Sequence, residues 1–297
     1  MNPSITIRSS DLDPSELTYS SPRVLDSGAK MIYVNYSENQ RFVVQTPWMV
    51  LPFDMSCYTQ GEYPKYTMQM SFRGHEDNQS VNTWLSKLNQ IDEKLISDVV
   101  GGTDSENVKY SLSWFKKAKT SEEVVKALYS PCVRRSKDRD TGEYDGKYPP
   151  TQRIKLPCRV KEDGSVNFTF PVYDKKTKEK IDLNETPLES LLKKGTRVTA
   201  LIRPTSIWIT GGGNFGMSWA VEQLKLIRQT RLSDYGFLDD SDDEPMEEET
   251  SEATPMGNEV EDSDDEEEEE VEIEPPSPPT KKVKKTRKRV VRKKGGN

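Results

Sequence analysis

The side chains best suited to chemistry in this chain are aromatic rings set among cations, and that pairing suits binding better than bond-making. Trp208, Phe215 and Trp219 surround the segment Gly211-Gly-Gly-Asn-Phe-Gly216, with Arg203 upstream and Lys225 downstream. Trp114 and Phe115 lead into Lys116, Lys117 and Lys119, and Arg134, Arg135, Lys137 and Arg139 precede Tyr144 and Tyr148. A ring face can stack a nucleobase for about 1–3 kcal/mol, while neighbouring cations neutralise phosphate. Strand alternation puts Ile207 and Ile209 on one side and Ser206, Trp208 and Thr210 on the other. Trp208 is therefore expected on the more polar face.

Catalysis has little to build on. His75 is the single histidine and lies in the polar stretch Gly74-His-Glu-Asp-Asn78. Acid–base work by histidine needs an orienting partner, and none is legible beside it. Cys57, Cys132 and Cys158 are odd in number, far apart and without a CxxC pair, which argues against a zinc site or a disulfide framework. The glycine-rich segment lacks the Lys-Ser/Thr of a P-loop and the strand–turn–helix setting of a dinucleotide site. No catalytic residue, metal ligand or cofactor is expected. No stretch reaches the roughly 20 apolar residues of a membrane helix, and the N-terminus has no apolar leader.

Charge divides the chain. Up to Tyr235 there are 33 Lys+Arg against 29 Asp+Glu; Gly236 to Pro279 holds 21 acids and no cation, and Thr280 to Asn297 holds 10 cations and no acid. All five tryptophans lie before Tyr235, so the net charge of −7 reflects the tail and not the part able to build a core. Residues 236–279 are expected as a disordered acidic linker and 280–297 as a basic tail. Ser241 and Ser263 each precede Asp-Asp-Glu, the pattern acidophilic kinases prefer, and phosphorylation would add about −1.5 to −2 charges apiece. Lys281, Lys282, Lys284, Lys285, Arg287, Lys288 and Arg289 have the form of a nuclear localisation signal.

The elements that must position these groups follow from periodicity. Residues 1–27, rich in Ser, Pro and Asp, are expected as a flexible arm. Met31–Tyr36 and Arg41–Thr46 predict two strands about a polar turn. Lys65–Arg73 predicts a half-buried strand with Tyr66, Met68, Met70 and Phe72 inward. Val81, Trp84, Leu85, Leu88, Ile91, Leu95 and Val99 predict a helix over 78–100, and a short helix starts at Ser121. A loop is expected over 136–150, a hairpin over 153–170 and a short helix over 187–194. Two long β-rich runs, 196–202 with 206–210 and 217–227, are joined through the glycines. The Lys175, Lys176, Lys178 and Lys180 group is expected as plain solvated surface.

The region from about Lys30 to Ile227 resembles the single-stranded-DNA-binding proteins of large nucleocytoplasmic DNA viruses. The resemblance rests on Arg41-Phe-Val-Val-Gln-Thr-Pro-Trp-Met49, on Gly195-Thr-Arg-Val-Thr-Ala-Leu-Ile202 with Ile207-Trp208, and on Gly212-Gly-Asn-Phe-Gly-Met-Ser-Trp219. It implies an OB-like barrel and binding to single strands with little sequence preference. The expectation is thus a β-rich α+β chain: an OB-like nucleic-acid-binding domain over 28–235 with inserted helices, followed by the acidic and basic tail. Candidate contacts are Arg41, Trp48, Trp114, Lys116, Lys117, Arg134, Arg135, Arg203, Trp208, Phe215 and Trp219. Expected partners are single-stranded DNA or RNA, replication or repair proteins drawn by the acidic tail, and further copies of the chain, without a membrane. The expected setting is the host nucleus or a cytoplasmic viral factory. The competing readings are an acidic-tail chaperone of histones or other basic proteins and a viral transcription accessory factor.

Overall fold

The computed structural model describes residues 4–227 apart from 38, 62 and 118. The acidic linker, the basic tail with its localisation signal, and Ser241 and Ser263 lie outside the described residues.

The chain opens with six short strands: β1 (Ile5–Arg8), β2 (Leu17–Tyr19), β3 (Arg23–Val24), β4 (Lys30–Ile32), β5 (Val34–Tyr36) and β6 (Phe42–Gln45). Next come β7 (Met49–Val50), β8 (Ser56–Tyr58) and β9 (Lys65–Ser71). Three helices follow, α1 (Gln79–Gly101), α2 (Tyr110–Phe115) and α3 (Glu122–Leu128). Strands β10 (Tyr129–Ser130), β11 (Val133–Arg134), β12 (Thr151–Leu156), β13 (Cys158–Val160), β14 (Val166–Phe168) and β15 (Val172–Asp174) lead to a short helix, α4 (Leu188–Leu191). The described part closes with β16 (Arg197–Ile209) and β17 (Phe215–Ile227).

Five strands form a closed ring in the order β7, β9, β12, β17, β16 and back to β7. Within that ring only β12 and β17 run parallel. In chain order the ring reads first, second, third, fifth, fourth, the Greek-key order of an OB-type barrel. Alternation fills the interior. Met68 and Met70, Ile154 and Leu156, Val198, Ala200 and Ile202, and Leu224 and Leu226 are all buried, whereas Lys65, Lys155 and Lys225 are exposed. Glycine serves the β16–β17 hairpin at Gly213, whose φ of +91° lies in the left-handed region.

Helix α1 forms as its spacing requires. Asn78 caps it, its side-chain oxygen accepting from the N–H groups of Ser80 and Val81 at 3.1 and 3.2 Å. Its apolar stripe is buried from Val81 to Val99. Trp84 meets Trp219 edge to face at 5.9 Å and donates its indole N–H to Gln152 at 3.0 Å. Asp92, buried on the same helix, accepts from the Tyr129 hydroxyl at 2.6 Å and from the Cys132 N–H at 3.1 Å. These bonds tie α1 to the β10–β11 segment.

Several expectations are corrected. Residues 1–27, expected as a flexible arm, supply β1, which runs parallel to β6 from Ile5 opposite Phe42 to Arg8 opposite Gln45, and they bury Leu12 and Leu17. The alternation of Ile5 and Ile7 with Thr6 and Arg8 spans only four residues, too short to stand out against the Ser and Asp around it. The run 31–36 is divided at Tyr33 into β4, which pairs with β16, and β5, which pairs with β2. The two runs of 196–210 are one strand, with irregularities near Leu201 and Pro204. The expected hairpin begins only at β13, because β12 belongs to the barrel.

Candidate nucleic-acid interface

Side chains outside the barrel on β9 and β12 come together by register. Thr67 stands opposite Lys155, Gln69 opposite Arg153 and Ser71 opposite Thr151. Residues directly opposite on an antiparallel pair share a face, so Arg153 and Lys155 lie on the side opposite to buried Ile154 and Leu156. Strand β11 extends the ladder by setting Arg134 opposite Thr151. At the other end β8 sets Tyr58 opposite Lys65, whose ammonium lies 5.6 Å from the Tyr58 ring centre. The four strands β8, β9, β12 and β11 therefore carry Lys65, Arg134, Arg153 and Lys155 and not one acid. From Thr151 to Lys155 the ladder runs about 13 Å at the usual rise per residue.

The cations are held at some electrostatic cost. Packing around its stem depresses the Lys155 pKa below the ordinary lysine value even though its head reaches solvent, and the charge of Lys65 adds to the depression. Beneath them Tyr66 faces the barrel mouth between Cys57 and Leu156. Its hydroxyl is pushed up to about 12, first by a hydrogen bond with Cys57 and then by burial.

The loop between β11 and β12 continues the surface. Lys137 bridges to Tyr144 across it. The Arg135 guanidinium and the Lys137 ammonium lie 5.7 and 5.4 Å from the Tyr144 ring, and Lys147 lies 5.2 Å from that of Tyr148. Arg135 also donates to Asn89 on α1 at 3.0 Å, which anchors the base of the loop. Tyr144 and Tyr148 are 56% and 62% exposed, so each keeps ring area for a ligand. Two of the loop's acids are engaged internally. Asp138 accepts from the N–H groups of Asp140 and Thr141, and Asp145 accepts from the Lys147 N–H and the Ser136 hydroxyl. These bonds hold both carboxyls below the usual range, so they stay charged while turned to the loop backbone.

The structure does not gather the sequence-predicted contacts into one place. Arg134 and Arg135 stand at the ladder and its loop. Trp114, Phe215 and Trp219 are corrected to core: they are 1%, 0% and 2% exposed and pack against Tyr110, Tyr129 and Trp84, leaving no face for a base. Trp208 is half-buried, on the face opposite to Ile207 and Ile209 as alternation requires. It shares a row with Arg23, Met31 and Gly216. Any side chain at Gly216 would collide with it, since a Cβ there would lie 2.9 Å from Trp208 Cζ2. Arg203 is ion-paired with Glu222. Arg41, Lys116 and Lys117 are exposed, and Lys116 ends α2 in a left-handed conformation at φ 57°. Trp48 lies half-buried on another side, with the Lys175 ammonium 5.0 Å from its ring. Lys175 is exposed together with Lys176, Lys178 and Lys180, as expected for solvated surface. Lys65, Arg153, Lys155 and Tyr58 were missed: each is a single residue in a strand, and only register makes them a group.

No protein-family model matches the chain, and no curated protein matches it. Solved structures with partial similarity include gp2.5, a single-stranded DNA binding protein encoded by bacteriophage T7, at 10% identity and a TM-score of 0.38 over 72% of this chain and 100% of that one. Another is the single-stranded DNA-binding protein from bacteriophage Enc34 in complex with ssDNA, at 11% identity and a TM-score of 0.34 over 71% of this chain and 92% of that one. Likeness at this level fixes neither ligand nor partner.

Proposed function

We propose that the chain is a non-catalytic single-stranded-DNA-binding protein, with the outer ladder of β9 and β12 as its main contact. One observation carries the proposal: Lys65 and Lys155 share the outer face of the second and third barrel strands, the face on which OB-type barrels take oligonucleotides. Lys65, Arg153, Lys155 and Arg134 track phosphates, while Tyr58, Tyr144 and Tyr148 offer ring faces at the two ends. Ring stacking is tolerant of sequence because every base has a π-face, so preference among sequences is weak.

The process served is replication, recombination or repair in a large nucleocytoplasmic DNA virus. The acidic run 236–279 competes with DNA for the ladder and, once displaced, recruits partner proteins. The basic run 280–297 acts as an import signal. These roles rest on the charge layout and on the sequence resemblance.

Charge reversal of the ladder tests the contact. Lys65→Glu with Lys155→Glu should weaken single-strand binding at low salt and flatten its salt dependence, by about 0.7 in log–log slope for each phosphate no longer neutralised. Both side chains end on the surface, so folding should be unchanged by circular dichroism. Unchanged affinity and slope would remove the ladder from the interface.

A further inference from the structure

The outer side of the barrel carries a second group of cations, reached from the first along β17. Lys155, on the ladder, pairs with Ala220, and Ala220 stands opposite Arg203 on β16. Past an irregularity at Glu222, Gln223 stands opposite Leu201 and Lys225 opposite Thr199, while Leu224 and Leu226 are buried inside. Lys155 and Lys225 therefore share the outer side of the sheet. From Ala220 to Lys225 is roughly 16 Å at the usual rise per residue. Glu222, the acid between them, is ion-paired with Arg203.

A row across the sheet meets Lys225. Lys180 bridges to Tyr173, Tyr173 pairs with Lys225 and Lys225 with Thr199. Neighbouring strands lie about 4.8 Å apart, so the row is roughly 14 Å wide. It sets the half-buried Tyr173 ring between two exposed lysines. The next row adds exposed Arg197, opposite Ile227 on one side and Val50 on the other. Trp48 borders the group: Thr199 donates its hydroxyl to the Thr46 carbonyl at 2.7 Å, and the Lys175 ammonium lies over the Trp48 ring. The acids of the adjoining turn point elsewhere. Asp174 is buried and accepts from the Lys176 and Thr177 N–H groups at 2.6 and 3.3 Å. Glu179 stands opposite Asp174, whose N–H donates to its carbonyl at 3.0 Å, so alternation turns it from the side that Lys180 and Tyr173 share.

We infer that this group is a second phosphate-binding site, which takes the stretch of single strand leaving the ladder at Lys155. The inference rests on the proposed single-strand binding and lengthens its footprint. A short strand fills the ladder alone, whereas a longer one continues along β17 to Lys225 and its neighbours. Lys180, Lys225 and Arg197 neutralise phosphates, and Tyr173, set between two of them, offers its ring to a base.

The test measures the salt dependence of binding by the full chain to two labelled oligothymidylates. One has about 5 nucleotides and the other about 16, near the two limits for a single OB-type barrel. The wild type should show the steeper slope on the longer strand. Lys180→Glu with Lys225→Glu should flatten that slope by about 1.4, from two phosphates at about 0.7 each, and leave the short strand as in the wild type. Lys180→Gln with Lys225→Gln adds no repulsion and should also flatten the slope on the longer strand alone, which separates a lost contact from a change in net charge. Both side chains are exposed, so circular dichroism should be unchanged. A longer strand that binds both double variants as it binds the wild type, or equal losses at the two lengths, overturns the second site. A wild type that binds neither length overturns the single-strand-binding proposal itself, and the second site with it.

Discussion

Lys155 and Lys65 face the same side of neighbouring strands, and the Lys155 ammonium is held below its ordinary pKa, first by packing around its stem and then by the charge of Lys65. Such an arrangement is unfavourable in the free protein and is relieved by an anion. The sign follows from linkage. The folded pKa lies below the unfolded value, so the charged form is disfavoured by folding and this group's contribution to stability rises with pH through that window. Bound phosphate reverses the depression.

Binding of single strands at alkaline pH should therefore take up protons, and affinity should fall as pH rises through the depressed Lys155 value. Calorimetry in two buffers of different ionisation enthalpy reads the uptake directly. Lys155→Met should remove it, and uptake unchanged in that variant would place the linkage elsewhere.

Surface and core aromatics should separate cleanly. Trp219→Ala empties a site between α1 and the barrel and should cost about 3–5 kcal/mol of stability. Tyr148→Ala, at a position 62% exposed, should leave stability within about 0.5 kcal/mol while weakening single-strand binding by about 1–3 kcal/mol. Urea denaturation and fluorescence anisotropy on the same two variants decide between the roles.

Asp92 is the buried fastening of helix α1. Asp92→Ala would orphan the Tyr129 hydroxyl and the Cys132 N–H, at a cost of about 2–3 kcal/mol. Affinity measured well below the new denaturation midpoint should change little, since Asp92 does not face the ladder. A variant as stable as the wild type would show that neither bond matters.

The tail prediction follows from charge. The proposed competition sets the 21 acids of residues 236–279 against DNA for the ladder, with the 10 cations of residues 280–297 opposing them. A chain ending at Tyr235 should bind single strands more tightly and release them more slowly. One ending at Pro279 keeps the acids without the basic end, so it should bind more weakly than the full chain and lose nuclear accumulation. Equal binding by all three chains would favour a chaperone of basic proteins over a competitor for DNA.

Much of the fold was legible because periodicity reports burial directly. The spacing from Val81 to Val99 locates α1, and the alternation through Tyr66, Met68 and Met70 locates the inner face of β9. The strand-rich character and OB-like barrel were likewise legible, through β-rich runs and the short motifs near Trp48 and Trp219. The site was much less so. Aromatics next to cations in sequence drew attention to Trp114, Phe215 and Trp219, yet a large ring in a strand or short helix is as useful to a core as to a ligand, and here the core holds all three. Helices α1, α2 and α3 all lie between Lys65 and Lys155 in the chain, so the juxtaposition of the two lysines exists only once β9 and β12 pair. Arg134 and Arg135 were found because their loop keeps ring and cation close along the chain.

The most direct measurement is a salt titration of the full chain on a single-stranded oligonucleotide and on the corresponding duplex. The ladder presents strand-mounted cations and flat rings, with no helix shaped to enter a groove, so the single strand should bind more tightly at every salt concentration. Its log affinity should fall linearly with log salt, at about 0.7 per phosphate neutralised, and that slope should shrink when Lys65 and Lys155 are reversed to Glu. Equal or tighter binding to the duplex at matched salt, or a slope indifferent to the two lysines, would contradict the central claim.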